Sequence, residues 1–508
     1  MRVALINEGG YPYRVATAGT WCHRLVAGLD EHDFHLVTIV EATPRRTYPV
    51  LTNNPSLTPV PLTGRPIAPE KGPARTQHRR AATHATVLMC RGMLDDSAHG
   101  AAMFRAGLRR LAALAADGTH PQAGIPLADV LLDAWRAGGG AGTPLVRINV
   151  AEAEAAARLL ESATRALSAP PPDVELCHVV DGGLATLVAL GARWRAGIPY
   201  LITEHDAYLH APLVGRAGSR PGVRAVLLRF LRALTRLGYA EAAAIVAPSE
   251  RMRRWALHHG APRELVRVVP PGVDPQDHPR LGDAPDHPLI AWVGPPEELP
   301  VLRQAFHRLR EKLPEARLVV VGSGPPEPLP DGMGWSGPVP ARTSVYARAC
   351  VVAISGADEA MPYPLIEAMF SGRATVCTEH GGVAAAVGIA AMVVPPADPD
   401  RLAAAWVRLL TDRQLRDELA ASARRRARTL FSLGAMLDGF RGAYAEAAAA
   451  GAERATGVAR PPVPVEPVPL SEVPLSDLLL SEVPLSEVAI SRDAMSPRWR
   501  RVLAEFAR

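Results

Sequence analysis

The sequence lacks the features that mark disulfide-rich, zinc-stabilised and membrane-spanning proteins. Its cysteines are far apart and form no CxxC pair, so neither a disulfide framework nor a structural zinc site is expected; they are Cys22, Cys90, Cys177, Cys350 and Cys377. No stretch approaches the ~20 uninterrupted apolar residues of a transmembrane helix. The first apolar run is too short for a signal peptide. We therefore expect a cytoplasmic protein, with any membrane association limited to peripheral contact at the inner face.

An excess of charge of one sign is also absent. The chain has 56 lysine and arginine residues against 51 aspartate and glutamate residues, a net charge of +5. Nucleic-acid binding needs a concentrated basic face, so no nucleic-acid partner is expected. The content of 48% hydrophobic and 21% charged residues is typical of a globular protein. Single cores stop growing near ~250–300 residues. A chain of 508 residues therefore predicts two domains with appendages.

Short β-branched runs alternate with helical segments in the first half of the chain. This pattern is typical of buried parallel strands in an α/β fold. Between about residues 43 and 170 the pattern is interrupted, first by a Pro/Thr/Arg-rich stretch and then by Ala/Leu/Arg-rich helical spacing, which predicts a helical insertion. The predicted strands are Val3–Ile6, Phe34–Val40, Leu176–Val180, Tyr200–Thr203, Ala243–Ala247 and Val266–Val269.

A Pro/Asp/Gly-rich segment, 270–288, precedes a second alternating series and predicts an interdomain linker. The expected fold is α/β, with two Rossmann-like doubly wound domains facing a cleft, where such folds bind ligands. The predicted parts are an N-terminal domain over 1–280, a C-terminal domain over 281–435, a crossing helix over 436–455 and a tail over 456–508. The strands of the second series are Leu289–Val293, Arg317–Val321, Val351–Ser355, Thr375–Thr378 and Ala391–Val394.

The tail carries a five-residue repeat that begins at Leu470 and has prolines at 469, 474 and 484. This period matches neither a helix nor a strand, so the tail is predicted to be a disordered, extended tether. It ends in a short basic amphipathic segment, 497–506. Two interpretations remain open: a loose chain end, or a docking segment within 461–508 for a protein partner or a membrane surface.

One segment carries a specific chemical pattern. A strand is predicted to end at Ser355, a loop carries Glu359, and Pro364 suits the start of a helix that holds Glu367. The amino end of a helix attracts phosphate, and a glutamate one turn further on can accept two ribose hydroxyls. The alternative is that Glu359 is a solvated loop residue and Glu367 a favourable first-turn charge.

The spacing of Glu359 and Glu367 resembles the E-x7-E motif of family-4 glycosyltransferases of the GT-B fold. The resemblance covers most of residues 1–450 and is closest to the PelF-like bacterial branch. Its further landmarks are Glu8 to Tyr13, Trp21, Thr203-Glu204-His205, Val269 to Asp274 and Glu379 to Val383. It implies a metal-independent, retaining enzyme that moves a sugar from a UDP- or GDP-linked donor to a glycan or other hydroxyl acceptor, in a role such as exopolysaccharide synthesis. It implies no other cofactor.

The resemblance also implies roles for individual residues. His205 and Glu359 would be catalytic, and Glu367 would hold the ribose. His205 follows a strand and opens a loop, although a structural histidine is the alternative. The other implied donor-binding residues are Tyr363, Pro364, Leu365, Ile366, Gly294 and Gly322. The implied residues of the acceptor side and phosphate loop are Glu8, Tyr13, Gly19 and Glu204.

Two loops depart from the family pattern. Pro295 and Pro300 stand where the family has an arginine and a lysine for the diphosphate, and the residues Val15 to Gly19 replace a Gly-Gly pair. Two hypotheses follow. In one, the protein is an active transferase in which another cation binds the diphosphate, such as Arg303, Arg342 or Arg14. In the other, it is a catalytically degenerate nucleotide- or sugar-binding protein or scaffolding subunit.

Overall fold

The structure is a computed structural model. It describes residues 1–13, 17–41, 55–63, 73–115, 119–138, 147–205, 212–218, 220–285, 287–322, 328–337, 342–355, 363–379 and 383–455. Glu359, Arg14 and the tail over 461–508 lie outside these residues, so the predictions made for them are not examined further.

The first sheet has seven parallel strands in the order β3-β2-β1-β4-β5-β6-β7. Its central strands are buried on both faces, which explains their continuous apolar runs. The strands are β1 (Arg2–Glu8), β2 (Asp33–Val40), β3 (Ser56–Pro61), β4 (Leu176–Val180), β5 (Tyr200–Thr203), β6 (Ala244–Ala247) and β7 (Val266–Val268).

The second sheet has six parallel strands in the order β10-β9-β8-β11-β12-β13. They are β8 (Leu289–Val293), β9 (Arg317–Val321), β10 (Met333–Gly337), β11 (Val351–Ile354), β12 (Ala374–Thr378) and β13 (Met392–Val394). The two parallel sheets, both flanked by helices, confirm the predicted fold class.

The sequence did not predict the strands β3 and β10, which are the outer strands of their sheets. Pro59 and Pro61 lie in β3, where an edge strand tolerates the missing N–H groups. Gly334 and Gly337 lie in β10 and weaken its strand signal. Pairing with β2 and β9 forms these strands despite their poor intrinsic propensity.

Helices cover both sheets and form the insertion. The helices are α1 (Thr17–Gly28), α2 (Pro73–Leu94), α3 (Ala98–Leu114), α4 (Leu127–Arg136), α5 (Val150–Thr164), α6 (Ala185–Ala196), α7 (Pro212–Gly215), α8 (Pro221–Glu241), α9 (Glu250–His258), α10 (Leu299–Lys312), α11 (Thr343–Arg348), α12 (Tyr363–Ser371), α13 (Val383–Val387), α14 (Pro399–Thr411), α15 (Arg413–Leu430) and α16 (Leu433–Ala455).

The chain divides into two compact units. Both sheets belong to the first, which comprises the described residues within 1–61, 171–207 and 238–455. The second unit comprises the described residues within 62–170 and 208–237, and it is helical. In the second unit, α2 and α3 approach so closely that a Cβ on Gly107 would lie 2.6 Å from the backbone N of Met89.

Helix α16 packs on the first sheet, although it follows the second sheet in the sequence. It lies against α1 and the strands β4, β5 and β6. A Cβ on Gly28 would lie 2.5 Å from the Leu437 side chain, so glycine permits this close approach of α1. Arg441 on α16 forms an ion pair with Glu31 at 2.6 Å, but both side chains are about 40% exposed and the pair contributes little.

A buried histidine connects α16 to the sheet. His178 on β4 has no exposed surface. Its Nδ1 lies 2.8 Å from the Tyr444 hydroxyl and its Nε2 lies 2.5 Å from the Thr203 hydroxyl. Burial lowers the pKa of His178 well below its ordinary value, and the neighbouring His205 lowers it further. A neutral ring has one donor and one acceptor nitrogen, so both nitrogens are satisfied by these hydroxyls.

We expect Tyr444→Phe to destabilise the protein by about 1–3 kcal/mol, because the His178 nitrogen would then be buried without a partner. The free energy of unfolding in urea measures this loss. Glu446→Gln is the matched control on the same helix, since it removes an exposed ion pair with Arg267 and should cost less than about 1 kcal/mol. Equal losses in the two variants would contradict the importance of the buried contact.

Candidate functional site

The loop after β4 has an unusual backbone at the carboxyl edge of the first sheet. Asp181, Gly182 and Gly183 have φ values of 63°, 53° and 55°. Glycine adopts these left-handed angles without steric cost, and aspartate tolerates them better than most residues. The Asp181 N–H donates to the Thr203 carbonyl at 2.8 Å, which joins the loop to β5. The chain turns sharply here before α6 begins.

Two of the predicted acceptor-side residues contact this loop. The Glu8 Oε2 atom at the end of β1 accepts a hydrogen bond from the Leu184 N–H at 3.1 Å. Glu204 is 2% exposed, and its Oε2 accepts from the Tyr239 hydroxyl at 2.9 Å. The same Glu204 oxygen would lie 3.3 Å from a Cβ on Gly182. Glu8 therefore helps to hold the loop and Glu204 lies close to it, and the roles of both toward an acceptor stay predictions.

His205 is fixed by the same loop. Its backbone N–H and its ring Nδ1 lie 3.1 Å and 2.8 Å from one oxygen of Asp181. The Trp21 ring meets the His205 ring edge-on, with centroids 4.3 Å apart. Because a carboxylate only accepts, Nδ1 carries the proton in the neutral ring, and Nε2 is left as an acceptor. Nε2 makes no hydrogen bond within the part of the chain that the structure describes.

The structure places the other two predicted residues of the first domain near the start of α1. The Tyr13 N–H donates to the Gly10 carbonyl at 2.9 Å, in the turn after β1. Burial raises the pKa of Tyr13 above its ordinary value. Gly19 lies in the first turn of α1, because this helix begins at Thr17. The predicted loop up to Gly19 is therefore partly helical.

The predicted glycines of the second domain lie together at the carboxyl edge of the second sheet. Trp292 on β8 donates from Nε1 to the Ser355 hydroxyl at 2.7 Å. A Cβ on Gly294 would lie 2.4 Å from the Trp292 ring and 2.8 Å from the Ser355 hydroxyl. A Cβ on Gly322 would lie 3.3 Å from the Gly294 carbonyl oxygen. Packing therefore excludes a side chain at 294 and disfavours one at 322.

Helix α12 carries the remaining donor-side residues. Leu365 and Ile366 are fully buried, so their side chains belong to the core. The Pro364 carbonyl accepts from the Tyr346 hydroxyl at 3.1 Å. The Tyr363 ring lies under the guanidinium of Arg24, 5.0 Å from the ring centroid, and burial raises the Tyr363 pKa to about 12. This cation–π contact brings α1 to the first residue of α12.

Glu367 is held by an arginine. Arg342 donates from Nε to Oε2 at 2.6 Å and from Nη2 to Oε1 at 2.9 Å. Glu367 is 7% exposed, and the Arg342 side chain is 30% exposed. The nearby His278 has its pKa lowered by burial; Glu367 opposes this shift, while Arg24 and Arg342 add to it. The His278 Nδ1 lies 3.0 Å from the hydroxyl of Thr343, the residue after Arg342.

The prolines of the loop after β8 stand at positions where the local backbone accommodates proline. Pro295 precedes a short helical turn, and Pro300 lies exposed in the first turn of α10, where its missing N–H costs nothing. Glu297 and Glu298 precede the amino end of α10, which favours negative charge. Of the cations considered from the sequence, Arg303 donates to the Pro328 carbonyl at 3.2 Å, and Arg342 contacts Glu367.

Three residues of the site were not predicted from the sequence: Asp181, Arg24 and His278. Asp181 follows a predicted strand and precedes two glycines, a pattern that could have indicated it. Arg24 lies on an amphipathic helix, where its charge gave no signal. His278 lies in the predicted linker, and its position beside Arg342 depends on the fold.

Two known protein families match the chain, one in each half. Residues 1–264 match the family described as Domain of unknown function (DUF3492), which is more than half of the chain. The chain belongs to this family. Residues 287–412 match a second family, described as Glycosyl transferases group 1. This second match includes β8 to β13 and α12, and so contains Gly294, Gly322 and Glu367.

Two curated relatives are glycosyltransferases. The D-inositol 3-phosphate glycosyltransferase of Geodermatophilus obscurus is 30% identical over 309 residues, which cover 52% of this chain and 65% of the relative. The protein of the same description from Nocardia farcinica is 29% identical over 229 residues, which cover 38% of this chain and 49% of the relative. The chain thus covers less than two thirds of either relative.

Solved structures share the fold. Sucrose-phosphate synthase from Thermosynechococcus elongatus superposes with a TM-score of 0.53 at 16% identity, covering 88% of this chain and 99% of that chain. Anabaena Alr3699/HepE in complex with UDP gives 0.53 at 13% identity, covering 88% and 100%. At these identities the likeness shows the fold alone, which is the GT-B fold of glycosyltransferases. None of the helices in the described ranges is long and apolar enough to cross a membrane.

We expect Gly183→Ala to destabilise the protein more than Gly197→Ala. Both glycines have positive φ, 55° and 72°, so alanine is strained at either position. A Cβ at 183 would also lie 2.8 Å from the Glu8 Oε2 atom, whereas nothing lies within 4 Å of one at 197. The free energies of unfolding should differ by about 1–3 kcal/mol. An equal loss would show that Glu8 does not constrain the loop.

Proposed function

We propose that the protein is a glycosyltransferase that moves a sugar from a UDP- or GDP-linked donor to a glycan or other hydroxyl acceptor. The transfer would retain the anomeric configuration and need neither a metal nor a further cofactor. The landmarks quoted from the sequence favour the PelF-like branch of family 4 and a role in polysaccharide synthesis, such as exopolysaccharide synthesis. The two relatives named as glycosyltransferases support the proposed transferase activity.

The observation that carries the proposal is the placement of Glu367. A carboxylate that is 7% exposed lies one turn into α12, within the segment that matches the glycosyltransferase family. The side-chain-free Gly294 and Gly322 lie at the same edge of the sheet. A nucleoside diphosphate needs acceptors for its ribose hydroxyls, and the Glu367 carboxylate offers them.

His205 would act on the sugar from the first domain. Asp181 fixes its tautomer, so Nε2 of the neutral ring accepts a hydrogen bond from a sugar hydroxyl, and a protonated ring would donate one. The Trp21 ring packs edge-on against the imidazole, and His205 is 3% exposed. A ring that is already oriented needs no reorganisation when charge develops at the anomeric carbon, and this lowers the barrier.

A second candidate function is a catalytically degenerate protein that binds a nucleotide or sugar, or serves as a scaffolding subunit. The observation that favours it is the loop over 294–300, which has three prolines and two glutamates where a cation would stabilise the leaving diphosphate. The tail over 461–508 would then contact a protein partner or a membrane surface.

Isothermal titration with UDP, GDP, ADP, UDP-glucose and GDP-mannose tests the proposal. We expect at least one diphosphate and its sugar-linked form to bind. Glu367→Ala should weaken binding about ten- to a hundredfold, because it removes charge-assisted hydrogen bonds to the ribose. Glu297→Ala, at an exposed glutamate of the same domain, is the control and should leave binding unchanged.

The same samples separate the two candidate functions. With water as the acceptor, hydrolysis of the bound sugar nucleotide to free sugar and nucleoside diphosphate supports a transferase, and binding without hydrolysis supports the degenerate protein. If none of the nucleotides binds the unmodified protein, the donor-site proposal is wrong.

A further inference from the structure

The contact between Arg342 and Glu367 sets up a competition for one carboxylate. The guanidinium donates to both oxygens, at 2.6 Å and 2.9 Å. The 2′ and 3′ hydroxyls of a ribose are also two neighbouring donors that suit the two oxygens of a carboxylate. Glu367 therefore cannot hold this guanidinium and a ribose diol in the same geometry at once.

Burial makes an exchange of partners more favourable than a simple release. Glu367 is 7% exposed, and a buried carboxylate without a partner is costly. The Arg342 side chain is 30% exposed, so it reaches the solvent edge of the site. A diol that replaces the guanidinium keeps both carboxylate oxygens hydrogen-bonded while the arginine moves.

A second arginine, Arg24, lies over Tyr363, near the pair formed by Arg342 and Glu367. The Arg24 guanidinium lies 5.0 Å from the centre of the Tyr363 ring, and Tyr363 lies about one helical turn before Glu367 on α12. The diphosphate of a nucleotide is attached through C5′ to the same ribose, so it would lie close to these guanidinium groups.

We propose that Arg342 binds the donor diphosphate, and that donor binding exchanges the partner of Glu367. The ribose diol takes the place of the guanidinium on Glu367, and the freed guanidinium moves to the diphosphate beside Arg24. This inference rests on the proposed function, because it needs a nucleotide donor at α12. It explains how positive charge reaches the leaving group although Pro295 and Pro300 provide none.

A comparison of nucleosides with nucleoside diphosphates tests this exchange. The probes are uridine and UDP, guanosine and GDP, and adenosine and ADP, titrated by displacement so that weak nucleosides are measured. In Arg342→Ala, the diphosphate should bind about ten- to a hundredfold more weakly relative to its nucleoside than in the unmodified protein. The nucleoside itself should bind equally well or better, since its competitor on Glu367 is gone.

Two further variants keep the test decisive. Arg348→Ala removes an exposed arginine of α11 and should leave both affinities unchanged. Arg342→Lys keeps the charge but loses the two-pronged contact. It should retain most of the preference for the diphosphate, and it decides the matter if Arg342→Ala does not fold.

The outcomes distinguish this inference from the proposed function. If Arg342→Ala weakens nucleoside and diphosphate by the same factor, or changes neither, Arg342 only supports Glu367 and the exchange is wrong. If the unmodified protein binds no diphosphate at all, the proposed function itself fails.

Discussion

The carboxylate of Asp181 holds both the backbone and the ring of His205, and the surrounding site depends on this contact. It is available because three consecutive residues adopt positive φ, which turns the Asp181 side chain toward the end of β5. Glu8 accepts a hydrogen bond from the same loop, and Glu204 lies close to it. Three acidic residues from three strand ends thus converge on one backbone turn, whose left-handed angles suit glycine. This turn orients the His205 ring, and the chemistry proposed for His205 depends on that orientation.

Helix α1 connects this turn to the donor side. Trp21 packs against His205, and Arg24, which is three residues further on, covers Tyr363 of α12. Residues three apart lie on neighbouring positions of one helix surface, so a single face of α1 contacts both groups. Arg24 also donates to the Gly272 carbonyl at 3.1 Å. Helix α1 is therefore in contact with both His205 and α12.

The sequence predicts much of the fold and part of the site. The strands β4, β5, β8 and β9 are short, mostly apolar runs, and their predicted bounds agree with the structure. His205 and Glu367 were indicated by their places after a strand and in a helix, and their roles stay predictions. The contacts of Asp181 with His205, Arg24 with Tyr363 and Arg342 with Glu367 join residues that are distant in sequence. Only the packing of the sheets brings them together.

The central claim is that His205, at the edge of the first sheet, acts on a sugar whose nucleotide is held by Glu367, at the edge of the second sheet. Its most direct test is the rate of diphosphate release from the bound sugar nucleotide at saturating donor, in the unmodified protein and in His205→Gln. We expect the variant to release diphosphate on the order of a hundredfold more slowly, because a preorganised hydrogen bond near the developing charge is lost. Its affinity for the nucleoside diphosphate alone should be unchanged, because His205 would contact only the sugar. An unaltered rate in His205→Gln would contradict the claim.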